Sequence, residues 1–489
     1  MPRQFRRLNT TLWLCLLAAL NLSTISQSVQ ATELPELGSQ DLIAYDQQTE
    51  KDLGRAFTSA LHSQYPLNYD PEVINYIRQM GHRIASQTGQ AREFRFYVIN
   101  NSAINAFAGP NGTIGIHTGL IQAANSDDEI ASVIAHEIAH ITQRHLSRRH
   151  QLNNSQGNLA SFATILAAIL IGAYEPTAVV PTIMAGMGLN IEKQLKNSRE
   201  HEAEADSVGI SMLQKAGYNP HAMASFFARL AKENQHNEYT VPEILLSHPV
   251  TDSRIAEAEN RAQSMYTQAA TPKQNSLQLI KHRIATTDSL FNLGAMAKDY
   301  DTNPTDASLC YKKSLNSLHN KTGKDITCLK ELALKHPEQS LYSNLLLESM
   351  LNKQKPTPTE AEFLLEQADF QLALFPNNLA SLIRYSDLLL LLNKTQLATE
   401  LLTKYAKESR YQYLINKKLS EIYAKQNRLG EAYFFKAVSE FNIGNIERTT
   451  YLLTQAKKFN QPENKSLTKK ITLLSNISNN LLITLKNPL

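Results

Sequence analysis

"ASVIAHEIAHITQRHLSRRH", residues 131–150, places four histidines and a glutamate among small apolar side chains. Val133, Ile134, Ala135, Ile138, Ala139 and Ile141 surround His136, Glu137 and His140. On a helix, His136 and His140 stand about 40° apart and project from one face, so both imidazoles can reach a single ion. Glu137 is turned about 100° from His136, close enough to such an ion to handle a bound water without displacing it. Ser126, Asp127 and Asp128 supply capping and favourable charge for the start of this helix. Chance alone produces an H-E-x-x-H match in roughly two chains per hundred of this composition, so the neighbours must decide. They oppose a solvated surface helix, because buried histidines need partners.

A further ligand must come from elsewhere. An H-E-x-x-H-x-x-G-x-x-H pattern is excluded, since Gln143 and Leu146 stand where glycine and histidine would be required. Downstream, "SREHEAEADSVGISMLQKAGYNP" (198–220) reads as a helix that stops near Gly217 and Pro220. Its Glu202 and Asp206 share one face, so the first can bind metal while the second accepts the free ring N–H of a ligating histidine. Glu204 points roughly opposite Glu202. His117, His145, His150 and His201 receive no role from spacing, and His145 falls about 140° around the helix from His140.

Outward from this pair of helices, the chain of 489 residues has room for two to four domains. Its start, "MPRQFRRLNTTLWLCLLAALNLSTISQSVQATE", is basic, then apolar from Leu12 to Leu22, with Val29 and Ala31 spaced like a signal-peptidase site. Residues 1–31 are expected to be a cleaved leader, and its apolar run is about half the ~20 residues of a spanning helix. Removing the leader takes away Arg3, Arg6 and Arg7 and no acidic residue, which lowers the formal charge of +4 by three. Nucleic-acid binding therefore has no bulk electrostatic support. Cys15 leaves with the leader; Cys310 and Cys328 are expected to pair in an oxidising compartment and staple a helical hairpin.

The pattern is helical from Gln40 to Thr88, after which "EFRFYVIN" and "NAFAGPNGTIGIHTGLI" predict a small sheet with a turn at Gly109–Gly112. The apolar segment 159–189 is interrupted by Glu175, Pro176 and Pro181, and its run from Leu159 to Ala173 is too short for a bilayer helix, so a buried or lid helix is expected rather than a membrane-inserting segment, with peripheral membrane association left open. Beyond about residue 273 the chain reads as helix after helix. An offset of thirty-four pairs Tyr385 with Leu419, Leu389 with Tyr423, Asn393 with Asn427 and Ala398 with Ala432, the tetratricopeptide period. The expected fold is α+β and mainly α: a metallopeptidase domain over 32–272 with a small sheet, then an all-α repeat solenoid over 273–489.

"HEIAH", "EHEAEAD" and "SHPVTDSRI" together resemble the gluzincin peptidases that include the CAAX prenyl protease and HtpX. With a leader and a repeat tail, the chain is most similar to the periplasmic branch of these peptidases in Gram-negative bacteria, which are both metalloproteases and chaperones. The resemblance covers about residues 45–265 closely and the tail by architecture alone. It implies one Zn2+ per chain held by His136, His140 and Glu202, Glu137 as general base and Asp206 behind the ligands. It implies that His248 approaches the zinc as a reversible fourth ligand that keeps the enzyme latent, that Arg254 lies near the cleft, and that an edge strand near "TIGIHTG" (113–119) receives an extended substrate. The implied partners are unfolded or misassembled outer-membrane proteins and, through the tail, the outer-membrane assembly machinery. A scaffold or chaperone with a mostly silent site is the rival expectation, and a membrane-embedded protease is disfavoured because no segment of the mature chain reaches spanning length.

Overall fold

The computed structural model describes residues 47–148, 191–236, 242–265, 276–287, 306–321, 326–352, 356–408 and 412–486. The expected leader, the apolar 159–189 segment and His150 lie outside the described residues. Among the described residues, no helix is long and apolar enough to cross a membrane.

Helices α1 (Gln47–Gln64) and α2 (Pro71–Ala85) precede strand β1 (Arg95–Ile99). The start of α2 is fixed by Asp70, whose side chain accepts from the N–H groups of Glu72 and Val73, and by Pro71 in the first turn. β2 (Ala106–Ala108) and β3 (Thr113–His117) follow, joined by a tight turn in which Asn111 (φ 53°) and Gly112 (φ 75°) are left-handed. The sheet order is β1-β3-β2, with β1 parallel to β3 and β2 antiparallel to it. "TIGIH" is therefore the central strand of the described sheet, and the expectation of an edge strand there is corrected: the edges are β1 and β2. The cause is the crossover from β1 past β2, which puts the third strand of the sequence between the first two.

After the short α3 (Thr118–Ala123), α4 (Asp127–Thr142) carries the H-E-x-x-H segment. Ser126 caps it by accepting from the Glu129 N–H at 3.2 Å, and Glu129 in turn accepts from the Asn125 N–H at 2.7 Å. Every residue from Glu129 to Ala139 is buried, so the polar side chains of Glu129, Ser132, His136 and Glu137 need partners inside the fold. It packs on β2, β3, α2, α5 (Ile191–Lys215) and α6 (Ala222–His236). A Cβ on Gly209 would lie 3.2 Å from the backbone nitrogen of His136, so the glycine lets α5 approach α4 at the first histidine. Two short elements complete this region, α7 (Glu243–Ser247) and α8 (Asp252–Gln263).

The helices after residue 273 begin inside the same core. α9 (Ser276–Thr287) packs on α2 and α3, and a single cluster of buried apolar side chains runs from Val73 to Leu346. α10 (Asp306–His319) and α11 (Thr327–Lys335) are joined by the Cys310–Cys328 disulfide, as expected. Then come α12 (Ser340–Leu351), α13 (Pro358–Leu374) and α14 (Leu379–Leu391), with the Leu379 N–H donating to Asn75 of α2 at 3.2 Å. Buried Arg283 of α9 grips Asp70 at 2.6 Å and Glu348 of α12 at 2.7 Å, and Arg384 of α14 holds the other oxygen of Glu348 at 2.8 Å.

From α15 (Thr395–Glu408) through α16 (Gln412–Lys425), α17 (Leu429–Asn442), α18 (Ile446–Phe459) and α19 (Lys465–Lys486), each helix packs on the next. Asn393 (φ 60°) and Asn427 (φ 56°), thirty-four residues apart, both turn the chain at a helix end. The N–H groups that follow them, of Lys394 and Arg428, donate to Leu389 and Tyr423 at 2.8 and 2.9 Å. Ala398 and Ala432 are both buried one turn further on.

Candidate metal centre

The frame of the site is the α4–α5 pair. From α4, His136 and His140 face inward, with their Nε2 atoms 2.9 Å apart. From α5, Glu202 presents Oε2 at 3.3 Å from His136 Nε2 and Oε1 at 3.5 Å from His140 Nε2. His248 enters from the loop after α7, its Nδ1 3.3 Å from His136 Nε2 and 3.0 Å from Glu202 Oε2. One donor atom from each of these four residues lies within 4.8 Å of every other.

The spacing suits a tetrahedral cation. Bonds of about 2.0–2.1 Å to nitrogen or oxygen put neighbouring ligand atoms roughly 3.3–3.4 Å apart, close to the contacts seen here. Electrostatics agree. Burial opposes a charge on His136, yet Asp206 and Glu202 push its pKa up to about 10, so the cluster attracts positive charge at this point. Burial keeps His140 neutral by pulling it well below the usual imidazole range, as a metal ligand requires. Glu202, although burial pushes the other way, is held well below the carboxylate range by His248 and His140.

Glu137 is 1% exposed and neither of its carboxylate oxygens has a full hydrogen bond. Burial raises its pKa, against the pull of His248 and His136. His248 Nε2 stands 3.5 Å from Oε1, and the Ala108 backbone of edge strand β2 is close enough to favour the charged form. An orphaned buried carboxylate beside a cluster of metal donors is positioned to exchange a proton.

Asp206, one turn beyond Glu202, lies 2.9 Å from Nδ1 of His136, so Nε2 is the nitrogen left for a metal. Arg254 grips both Asp206 oxygens, at 2.7 and 2.8 Å, and reaches Glu202 Oε2 at 3.2 Å and the Pro249 carbonyl at 2.8 Å. Thr251 caps α8 by accepting from the Arg254 N–H at 3.3 Å, which brings the guanidinium back over the "HP" loop. The Ile244 N–H donates to Ile104 O at 3.0 Å, tying the helix before His248 to the loop before β2.

All seven residues singled out from the sequence are thus brought together. One neighbour was missed. α4 ends at Thr142, and Arg144 is left-handed (φ 54°), which swings His145 back until its Nδ1 is 2.8 Å from Nδ1 of His140. His145 Nε2 meets Glu204 at 3.1 Å, Arg148 holds the same carboxylate at 2.7 Å, and the His145 ring stacks on His201 with centroids 4.3 Å apart. The 140° separation holds only on a continuous helix, and nothing in "ITQRH" announces the break.

Residues 71–262, which contain every element of this centre, match the family model described as Peptidase family M48. The similarity of residues 71–262 to that family implies a divalent metal. Over 256 residues it is 37% identical to the putative beta-barrel assembly-enhancing protease of Vibrio cholerae, covering 52% of each chain. Over 264 residues it is 32% identical to the beta-barrel assembly-enhancing protease of Escherichia coli K12, covering 53% of this chain and 54% of that one. It is also 24% identical over 263 residues to the metalloprotease LoiP of Escherichia coli K12, across 50% of this chain and 95% of the relative. The chain spans about half the length of the beta-barrel assembly-enhancing proteases it matches.

Proposed function

We propose that this chain is an exported zinc endopeptidase that acts on proteins of the outer membrane as they assemble, with a latent site and a tail that holds clients. The observation that carries the reading is the convergence of His136, His140, Glu202 and His248 beside the orphaned carboxylate of Glu137. His136, His140 and Glu202 would hold one Zn2+, the ion that best suits two imidazoles and a carboxylate in tetrahedral spacing. Bound there, zinc would supply Lewis acidity and a more acidic water. Glu137 takes the proton of the attacking water and returns it to the leaving amine. Asp206 fixes the His136 ring, and Arg254 fixes Asp206 and the carboxylate of Glu202 together. An extended substrate adds to the edge of β2, beyond which no described strand pairs and whose Ala108 lies against Glu137.

His248 supports a latent state. Its Nδ1 stands among the donors as a fourth ligand, so the loop carrying it must shift before a substrate carbonyl can enter. The same seat favours the second reading, a chaperone or scaffold whose peptidase site is silent most of the time. The helical tail beyond about residue 272 is read as a tetratricopeptide-like solenoid whose concave face takes outer-membrane proteins or their assembly machinery, in line with the names of the relatives. Periplasmic residence follows from the leader read at residues 1–31 and suits the Cys310–Cys328 disulfide.

One set of variants tests the mechanism. Glu137→Gln should abolish cleavage of an unfolded outer-membrane protein while leaving its binding intact, and His248→Ala should raise cleavage. Unchanged turnover in Glu137→Gln refutes the mechanism, and a weaker His248→Ala enzyme makes that histidine a catalytic helper.

A further inference from the structure

A cavity of about 370 Å3 lies between the peptidase sheet and the helical tail, and no residue of the metal centre lines it. Its floor is the outer edge of β1, two strands away from edge β2, or about 10 Å across the sheet. Its roof comes from the end of α15, the start of α16 and the end of α17. The size is that of a ligand site.

The strand edge is only partly covered. The Asn68 N–H donates to Val98 O and the Asn100 N–H to Pro66 O, both at 2.8 Å, so a short antiparallel stretch closes the edge around Ile99. Because backbone groups alternate along a strand, these bonds show that Phe96, like Val98, points its amide groups outward. The Phe96 carbonyl does so, accepting from Arg78 Nε at 3.3 Å. Among the described residues, Glu93 to Phe96 line the cavity ahead of that stretch, and the Phe96 carbonyl keeps a second lone pair beside its bond to Arg78. An extended peptide lying there would continue the line that Pro66–Asn68 begins.

Two further features define its chemistry. Among the described residues, Arg78, Arg95 and Lys407 line the space with one acid, Glu93, which is paired with Arg95 at 3.1 Å, so the balance of those residues is positive. Rings from three elements and the α1–α2 loop meet at one end: His62 of α1 lies 5.5 Å from Tyr97 of β1 and 4.9 Å from Tyr413 of α16, and Tyr413 lies 5.9 Å from Tyr69 of the loop. Burial and the nearby Arg78 pull His62 down to about 4, so it presents a neutral ring at physiological pH. The roof is held in place, since the turn at Gly444 rests on the Arg55 carbonyl of α1 so closely that a Cβ would come within 2.4 Å of it.

We propose that this cavity is a second peptide site, which takes an extended segment of alternating acidic and aromatic residues by strand addition to β1 beneath the tail helices. Strand addition supplies affinity through the main chain, the basic residues select acidic side chains, and the ring cluster receives an aromatic one. A long client could be held here while another of its segments lies at β2. The inference does not depend on hydrolysis, and its test is run without turnover.

The probe is a fluorescein-labelled Asp-Tyr-Asp-Tyr-Asp-Tyr peptide, titrated by anisotropy into the whole chain carrying Glu137→Gln. Lysine in place of aspartate should weaken binding about tenfold or more, and Lys407→Glu should weaken the acidic peptide about tenfold. Tyr413→Ala, checked for an unchanged melting temperature, should also weaken it, and N-methylation of alternate backbone nitrogens in the peptide should abolish binding. Stripping the metal with a chelator should leave the affinity unchanged, which separates this site from the metal centre. A photo-crosslinking residue at Gln412 should capture the acidic peptide. Equal binding of the acidic and basic peptides, or indifference to both Lys407→Glu and Tyr413→Ala, overturns the site; indifference to N-methylation overturns strand addition.

Discussion

Asp206→Asn separates the support of the metal centre from its ligands. Asp206 accepts two hydrogen bonds from Arg254, and its Oδ1 also lies 2.9 Å from His136 Nδ1; the side chains of Asp206 and Arg254 are only 8% and 9% exposed. Against the effect of burial, His136 and Arg254 hold its carboxyl below the ordinary range, so it is an anion in the folded protein. Asparagine has one oxygen where three donors converge, and its NH2 must face a guanidinium or a ring N–H. Breaking a buried pair from one side costs about 3–5 kcal/mol, and the lower end applies here because Arg254 keeps Glu202 and the Pro249 carbonyl. Freed of its brace, the His136 ring should bind zinc roughly 10- to 100-fold more weakly. Urea unfolding of the metal-free protein measures the first effect, and zinc competition with a chromophoric chelator measures the second. Adding Arg254→Met removes the stranded cation and should recover stability but not zinc affinity. An Asp206→Asn protein that binds zinc within about twofold of the parent would refute the bracing role of Asp206.

Two other perturbations probe separate parts of the molecule. Glu72, buried in the first turn of α2, is pushed up to about 8 by burial, with Arg283 and Arg384 pulling it down and Asp70 and Glu348 adding to the rise. Its folded pKa lies above its unfolded one, so its contribution is complete below about 4.5 and is lost as pH climbs toward about 8. Glu72→Gln should therefore gain on the parent by up to roughly 5 kcal/mol between those limits and no further above them, and equal differences in unfolding midpoint at pH 5 and pH 8 would contradict this. His145→Ala removes the group that orients His140 and should lower zinc affinity about tenfold, read by the same competition; unchanged affinity would leave His145 a packing residue stacked on His201.

What could be read in the sequence is what depends on local periodicity. The α4 helix, its Ser126 cap and the shared face of Glu202 and Asp206 follow from spacings of three and four residues, and the structure has them where the spacing put them. The matched positions of the thirty-four-residue offset end the same way, because Asn393 and Asn427 can both adopt a left-handed conformation at little cost. His248 and Arg254 were reached through resemblance alone. Each depends on a contact made far along the chain, the first with Glu202 and the second with Asp206, and no periodicity encodes a partner more than forty residues away. His145 escaped because Arg144 takes a positive φ that its side chain does not favour, a conformation that the surrounding fold must impose. The sheet shows the same limit more sharply. "EFRFYVIN" and "TIGIH" each read correctly as strands, yet alternation is identical for an edge and a centre, and only the parallel pairing of Tyr97 with Gly115 decides which strand is enclosed. That pairing makes β2, against Glu137, and β1, under the tail, the two edges of the described sheet, and the two proposed peptide sites lie at those edges.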